Sequence, residues 1–255
     1  MKTSNHLLRR LTAALLAAVL TLSIALPVFA SDDGDTIYIN SVSDLLSLAK
    51  SCAYDQWSVG KTVILQKDLS LEGMLWEPIP SFSGQFKGNG HTISDLTVSG
   101  EYSPAGLFGI VEEQGSIESL SVRGIVSVSD SADTTTGGIV GINHGTLINC
   151  QFTGVVTGDS EVGGIVGRNE SEGTIDHSTA RAIVTGKSST GGIAGYNLGA
   201  ITGCTNVGSI NTEYQEASLD TDGFTAKMVD QINNKMAAAD DDATNSVTNV
   251  ATDTG

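Results

Sequence analysis

The chain has 255 residues, 30 of them glycine, only 5% aromatic, with 29 carboxylates against 13 lysines and arginines for a net charge of −16. So acidic a surface, with no basic patch to offset it, excludes nucleic acid and anionic lipid as partners. Three cysteines are too few and too odd in number for a disulfide framework.

Residues 1–30 read as a secretory signal. Lys2, Arg9 and Arg10 form the basic start, Leu11 to Leu26 the apolar run, and Val28-Phe29-Ala30 the small-residue cleavage site before Ser31. The run is shorter than the about 20 residues of a membrane span. Cleavage after Ala30 leaves 225 residues with 10 basic and 29 acidic groups, a charge near −19, and no later stretch suited to membrane insertion.

Residues 31–60 form an N-terminal cap. Ile37-Tyr38-Ile39 alternates like a strand, and Ser41 to Ala49 predicts a short helix with Ser41 and Asp44 in capping-box spacing. Trp57 and Trp76 fall nearby and are expected to pack the cap rather than to stack on a sugar.

Residues 61–211 are a repeat array. Four glycine-framed apolar tetrads recur: Gly106-Leu107-Phe108-Gly109, Gly138-Ile139-Val140-Gly141, Gly164-Ile165-Val166-Gly167 and Gly192-Ile193-Ala194-Gly195. Their starts lie 32, 26 and 28 residues apart, a period that signals a solenoid. Each tetrad is followed by a second glycine, at Gly115, Gly145, Gly173 and Gly199. Counted from it, offset +2 reads Ile117, Leu147, Ile175, Ile201, and +5 reads Leu120, Cys150, Ser178, Cys204. Offset +7 reads Val122, Phe152, Ala180, Asn206; +9 reads Gly124, Gly154, Ala182, Gly208; +11 reads Val126, Val156, Val184, Ile210. This period of two belongs to strands. Turn-forming clusters, Ser129 to Asp133 and Thr185 to Ser189, separate the pieces. Three strands per repeat with like residues in successive repeats give a parallel β-helix, one coil per repeat, with columns about 4.8 Å apart. Tetrad glycines are expected at corners, where they turn the chain at positive φ. A β-sandwich of short strands would not demand matched offsets in four consecutive units.

The tetrads resemble the GLUG motif of bacterial surface and secreted repeat proteins, which are similar to pectin-lyase-like right-handed parallel β-helices. Phe82 to Val98 resembles the first coil that precedes such repeats, and the likeness covers residues 37–211. It implies an all-β, right-handed parallel β-helix, adhesin-like, with some members upstream of large surface peptidases. No catalytic residue belongs to the motif.

Residues 212–255 break the pattern. Phe224, Met228, Val229, Ile232 and Met236 stand at helical spacing, an amphipathic helix, followed by Asp240-Asp241-Asp242 and a loose polar tail. Asp253-Thr254-Gly255 matches Thr135-Thr136-Gly137 and Ser189-Thr190-Gly191, which introduce tetrads, so the helix reads as an insertion in a longer array.

Candidate chemistry is sparse. Cys150 and Cys204 share offset +5 two coils apart, about 9.6 Å, beyond the about 7 Å that a disulfide tolerates, so buried free thiols are expected, Cys52 included. His91, His144 and His177 occupy unlike offsets and no HExxH pair exists, so no zinc site is expected. Asp220-Thr221-Asp222-Gly223 starts like a calcium loop without the later ligands. Glu118 and Asp176 both stand at +3, two coils apart, the one carboxylate pair at a spacing that suits glycoside hydrolysis, with Ile148 between and no lysine or arginine at +3. The expectation is therefore a non-enzymatic exported scaffold without cofactor or metal. Its ligand would be an extracellular glycan or a host or cell-surface protein, with end-to-end self-association through the last coil. The alternatives are a polysaccharide lyase or hydrolase, or the non-catalytic front of a larger surface peptidase.

Overall fold

A computed structural model describes residues 35–54, 56–128 and 134–211. The expected signal segment, the turn cluster at Ser129 to Asp133, the Phe224–Met236 helix, the Asp220 loop and the terminal Asp-Thr-Gly lie outside these residues.

The chain starts with β1 (Thr36–Ile39), continues through the helix α1 (Val42–Ser51), and returns as β2 (Thr62–Leu65) and β3 (Leu69–Ser70). The next turn holds β4 (Ile79–Phe82), β5 (Gln85–Lys87) and β6 (Thr92–Gly100). The first tetrad coil holds β7 (Phe108–Val111), β8 (Ser116–Glu118) and β9 (Ser121–Val128). The second comprises β10 (Thr135–Gly137), β11 (Val140–Asn143), β12 (Thr146–Ile148) and β13 (Gln151–Thr157). The third comprises β14 (Glu161–Gly163), β15 (Val166–Asn169), β16 (Thr174–Asp176) and β17 (Thr179–Thr185). The fourth comprises β18 (Thr190–Gly191), β19 (Ala194–Asn197), β20 (Ala200–Thr202), β21 (Thr205–Asn206) and β22 (Ser209–Ile210).

All pairings are parallel and join successive turns. The first sheet runs β1-β2-β5-β8-β12-β16-β20, the second β3-β6-β9-β13-β17-β21, and the third β4-β7-β11-β15-β19. This is an all-β parallel β-helix, consistent with the right-handed form expected. The offsets read from the sequence are the register: Ile117, Leu147, Ile175 and Ile201 stack at +2. Val122, Phe152, Ala180 and Asn206 stack at +7, and Val126, Val156, Val184 and Ile210 at +11. Most of these side chains are buried and, with Phe82, Phe86 and Phe108 clustered at 5.5–6.3 Å between ring centroids, they form one continuous core.

Three ladders run the length of the array, and a short fourth one, β10-β14-β18, was not expected. It lies where the sequence reads as a connection into the tetrad. Val140 enters the core, so Gly141 beside it faces outward and is nonetheless covered. A Cβ on Gly141 would strike Pro104 and Ala105, and one on Gly167 would come 2.6 Å from the Thr136 nitrogen. A Cβ on Gly195 would strike Val162. The fourth ladder therefore lies against the outer side of the third sheet, in backbone contact with the last tetrad glycine.

This overturns the expected role of the tetrad glycines. None of the eight has a left-handed φ. The first glycine makes room for the +7 column instead, since a Cβ on Gly138 would meet the Phe152 ring and one on Gly192 would meet Asn206. The left-handed corner lies at offset +4, between the first and second sheets. Ser119 (φ 54), Asn149 (φ 52), His177 (φ 46) and Gly203 (φ 62) take it in turn. Their amides extend the ladder, with Ser119 N–H donating to the Ile148 carbonyl at 2.9 Å and Asn149 N–H to Asp176 at 3.0 Å.

At the N-terminal end, α1 begins as predicted. Asp44 N–H donates to Ser41 Oγ at 3.2 Å, and Asp44 Oδ2 accepts from Asn40 N–H at 2.9 Å. Leu45 and Leu48 bury one face against β1 and β4, the end strands of the first and third sheets. Two otherwise open edges are so covered. Ile37-Tyr38-Ile39 is a full rung of the first sheet.

Candidate functional site: outer faces and internal ladders

The outer face of the first sheet carries the residues singled out for chemistry. Lys87, Glu118, Ile148, Asp176 and Thr202 stack in register. Glu118 and Asp176 thus lie two rungs apart with Ile148 between them, as the offsets require. The expectation that no base stands at +3 needs correction: Lys87 occupies that place one turn earlier, three residues after Gly84. That turn precedes the first tetrad, so no offset from a second glycine reaches Lys87.

Lys87 and Glu118, with Asn89, Gly90 and Ser119, line an open hollow of about 530 Å³. Asp176 is not part of it. Its Oδ1 lies 2.8 Å from His177 Nδ1 on the exposed corner. The structure does not bring the two carboxylates around one cleft. A hydrolytic pair needs both groups on the same bond.

The histidines are likewise dispersed. His91 Nδ1 is 3.1 Å from Asp68 Oδ1, and the Asp68 carboxyl is held below the usual range by the Thr92 N–H and then by His91. Among the described residues no group of three or more His, Cys, Asp or Glu side chains could hold a metal ion.

Trp76 is 1% exposed and donates from Nε1 to the Leu107 carbonyl at 3.0 Å. It packs the coil interior rather than the cap. Trp57 is half-buried against the core beside the cap, with Lys61 Nζ 5.3 Å from its ring centroid.

Cys52, Cys150 and Cys204 are all free and buried. In the +5 column Ser178 stands between the latter two, accepting from Cys150 N–H at 3.1 Å and donating its own N–H to Cys204 Sγ at 3.4 Å. Burial pushes the Cys150 thiol up to about 12 and the Cys52 thiol to about 11, and raises that of Cys204. These are packing groups, not nucleophiles.

One internal feature escaped the column reading. Asn143, Asn169 and Asn197 stack on the third sheet. Asn143 Nδ2 donates to Asn169 Oδ1 at 2.7 Å, and Asn169 Nδ2 to Asn197 Oδ1 at 2.8 Å. Each side-chain amide also donates to the carbonyl of the following second glycine, Gly145, Gly173 or Gly199. The signal was present: asparagine follows two residues after each of the last three tetrads. Counting from the second glycine hides it, because Asn169 lies four residues before Gly173 and the other two lie two before theirs. On the outside of the same strands Arg168 Nη1 meets Glu161 Oε1 at 2.7 Å. Its Nε lies 2.8 Å from Glu170 Oε1, an ion-pair contact too bent for a hydrogen bond. The guanidinium covers the Tyr196 ring at 4.9 Å.

The profile of the GLUG motif matches residues 158–185, one whole repeat from the end of β13 to the end of β17. The register carries the same pattern into the coils on either side. Residues 158–185 are thus a GLUG motif set as one coil of the parallel β-helix. Among relatives of the chain is halomucin of Haloquadratum walsbyi, 31% identical over 155 residues, covering 56% of this chain and 2% of that protein. Another is the "Putative Gly-rich membrane protein" of Evansella cellulosilytica, 30% identical over 137 residues, covering 39% of this chain and 16% of the relative. The chain thus spans only a small part of the curated relatives it matches. The crystal structure of a "putative immunoglobulin A1 protease" from Bacteroides ovatus superposes with a TM-score of 0.44 at 16% identity, covering 72% of this chain and 80% of the other. A likeness of that degree says nothing of activity.

Proposed function

We propose that the GLUG-repeat array is a non-enzymatic, exported scaffold at the cell surface or outside it, which binds or spaces rather than transforms. One observation carries this reading. The inward columns keep one residue class from coil to coil, whereas the outward +3 column, where the candidate residues stand, changes from Lys87 to Glu118, Ile148, Asp176 and Thr202. Repetition in the core therefore serves packing, and the candidate residues of the +3 column do not recur as a repeated site would. The names of the relatives, halomucin and a Gly-rich membrane protein, favour the same setting. The partner would be an extracellular glycan or a host or cell-surface protein, met by an acidic elongated face.

A carbohydrate-active β-helix is the rival reading, and the hollow between Lys87 and Glu118 is what favours it. The purified protein incubated with pectin, alginate and a panel of glycans should release no reducing ends and no unsaturated products. Turnover abolished by Glu118→Gln or Asp176→Asn would replace the scaffold by an enzyme.

A further inference from the structure

The outer face of the first sheet is two columns wide, and only one of them varies in kind. On its strands Val63, Phe86, Ile117, Leu147 and Ile175 enter the core, each 0% exposed, so the residues on either side of them point outward. The residue that follows belongs to the mixed +3 column, which continues toward the N-terminus through Ile64 to Tyr38. The residue that precedes stands at +1. There the register stacks Thr36, Thr62, Gln85, Ser116, Thr146 and Thr174 on consecutive rungs, until Ala200 ends the row. Strand preference explains a threonine at any outward position. It does not explain why +1 keeps uncharged polar groups while +3, on the same strands, changes charge and polarity freely.

These side chains have no partner of their own. Elsewhere on the coils outward hydroxyls bond to neighbours, as Ser81 Oγ donates to Glu112 Oε1 at 2.7 Å and Thr135 Oγ1 to Glu161 Oε2 at 3.2 Å. Among the described residues, none of the six side chains in the +1 row makes a hydrogen bond, and none is buried. Each hydroxyl can donate one bond and accept two. The row runs over five rung spacings, about 24 Å. Beside it the charge reverses from Lys87 to Glu118, so a polymer with one sign of charge on every unit finds no matching row. A linear neutral glycan does match. It offers hydroxyls on every sugar and, when extended and β-linked, advances by about one rung per sugar. Two features of the same face suit a sugar ring. Tyr38, 46% exposed, stands at its N-terminal end. The hollow lined by Lys87, Asn89, Glu118 and Ser119 lies on the rungs of Gln85 and Ser116.

We propose that the outer face of the first sheet binds an extended, uncharged, β-linked glycan lying along the stack. The +1 row supplies one hydrogen-bonding side chain per sugar. This rests on the scaffold reading and narrows its partner to one class of glycan.

Calorimetric titration of the full chain with cellohexaose, mannohexaose and xylohexaose tests this, with oligogalacturonate as the charged comparison. At least one neutral hexasaccharide binds, and the matching trisaccharide, which spans half of the row, binds at least about tenfold more weakly. Thr146→Val combined with Thr174→Val removes two hydroxyls and keeps shape and strand preference. It weakens the hexasaccharide at least about tenfold. Thr157→Val combined with Thr185→Val, a stacked pair on the outer face of the second sheet, leaves binding unchanged. Circular dichroism shows both double variants folded like the native chain. Binding of no neutral hexasaccharide, equal loss in the two double variants, or binding confined to oligogalacturonate would overturn the glycan face. Reducing ends released from a bound hexasaccharide would instead end the scaffold reading, while the Thr146→Val and Thr174→Val pair still decides the face.

Discussion

Cys150 shows what one coil position asks of a residue. It must fill a small apolar space and still satisfy the chain above and below, which a thiol does by accepting little and donating weakly to the Ile117 and Ile148 carbonyls. Its raised pKa has a consequence of fixed sign. The folded thiol stays protonated to about 12, whereas in the unfolded chain it ionises near about 8.5. The stability it contributes is full below the lower value and is lost as pH rises toward the higher one. At pH 10 the loss approaches about 2 kcal/mol. Urea midpoints at pH 7.5 and pH 10 should fall more for the native chain than for Cys150→Val; an equal fall in both would show that this thiol is not held protonated. The spacing of the cysteines was readable in the sequence because column and period together fix distance. The hydrogen bonds through Ser178 were not, since they depend on where the hydroxyl turns.

Among elements, β10, β14 and β18 were the least legible. Thr135-Thr136-Gly137 and Ser189-Thr190-Gly191 have the composition of turns, and strands of two or three residues carry no periodicity to betray them. What holds them is tertiary: they need glycine opposite, and the motif supplies it at its fourth position. The tetrad glycines serve close approach rather than the left-handed turn their type suggests, since glycine permits either. At the true corners the chain instead holds Ser119, Asn149 and His177 in a left-handed conformation, and nothing in their types marks a common role. If the fourth ladder rests on the third sheet, Gly167→Ala should lower the unfolding free energy by about 1–3 kcal/mol through overpacking. Denaturant titration measures this, and an unshifted midpoint would mean that β10 can lift from Gly167 at no cost.

For the whole molecule, the inward columns were legible because each coil repeats the same burial problem and answers it with the same residue class. Ile175→Ala should cost about 2–5 kcal/mol as a buried cavity, while Glu172→Ala on the exposed corner should stay within about 0.5 kcal/mol. Comparable small shifts in both would contradict the assigned interior. The outer faces were far less legible, since Lys87 and Glu118 come together only once the rungs are stacked. The asparagine stack has a further consequence. Asn143 hands an N–H to Asn169 and Asn169 hands one to Asn197, both bonds running in the same sense. The junctions on either side of the third coil are therefore the same junction, Asn upon Asn. A gene that loses or duplicates the stretch between two of these asparagines would rejoin like surfaces, so the array can change its reach by whole coils without inventing a new interface.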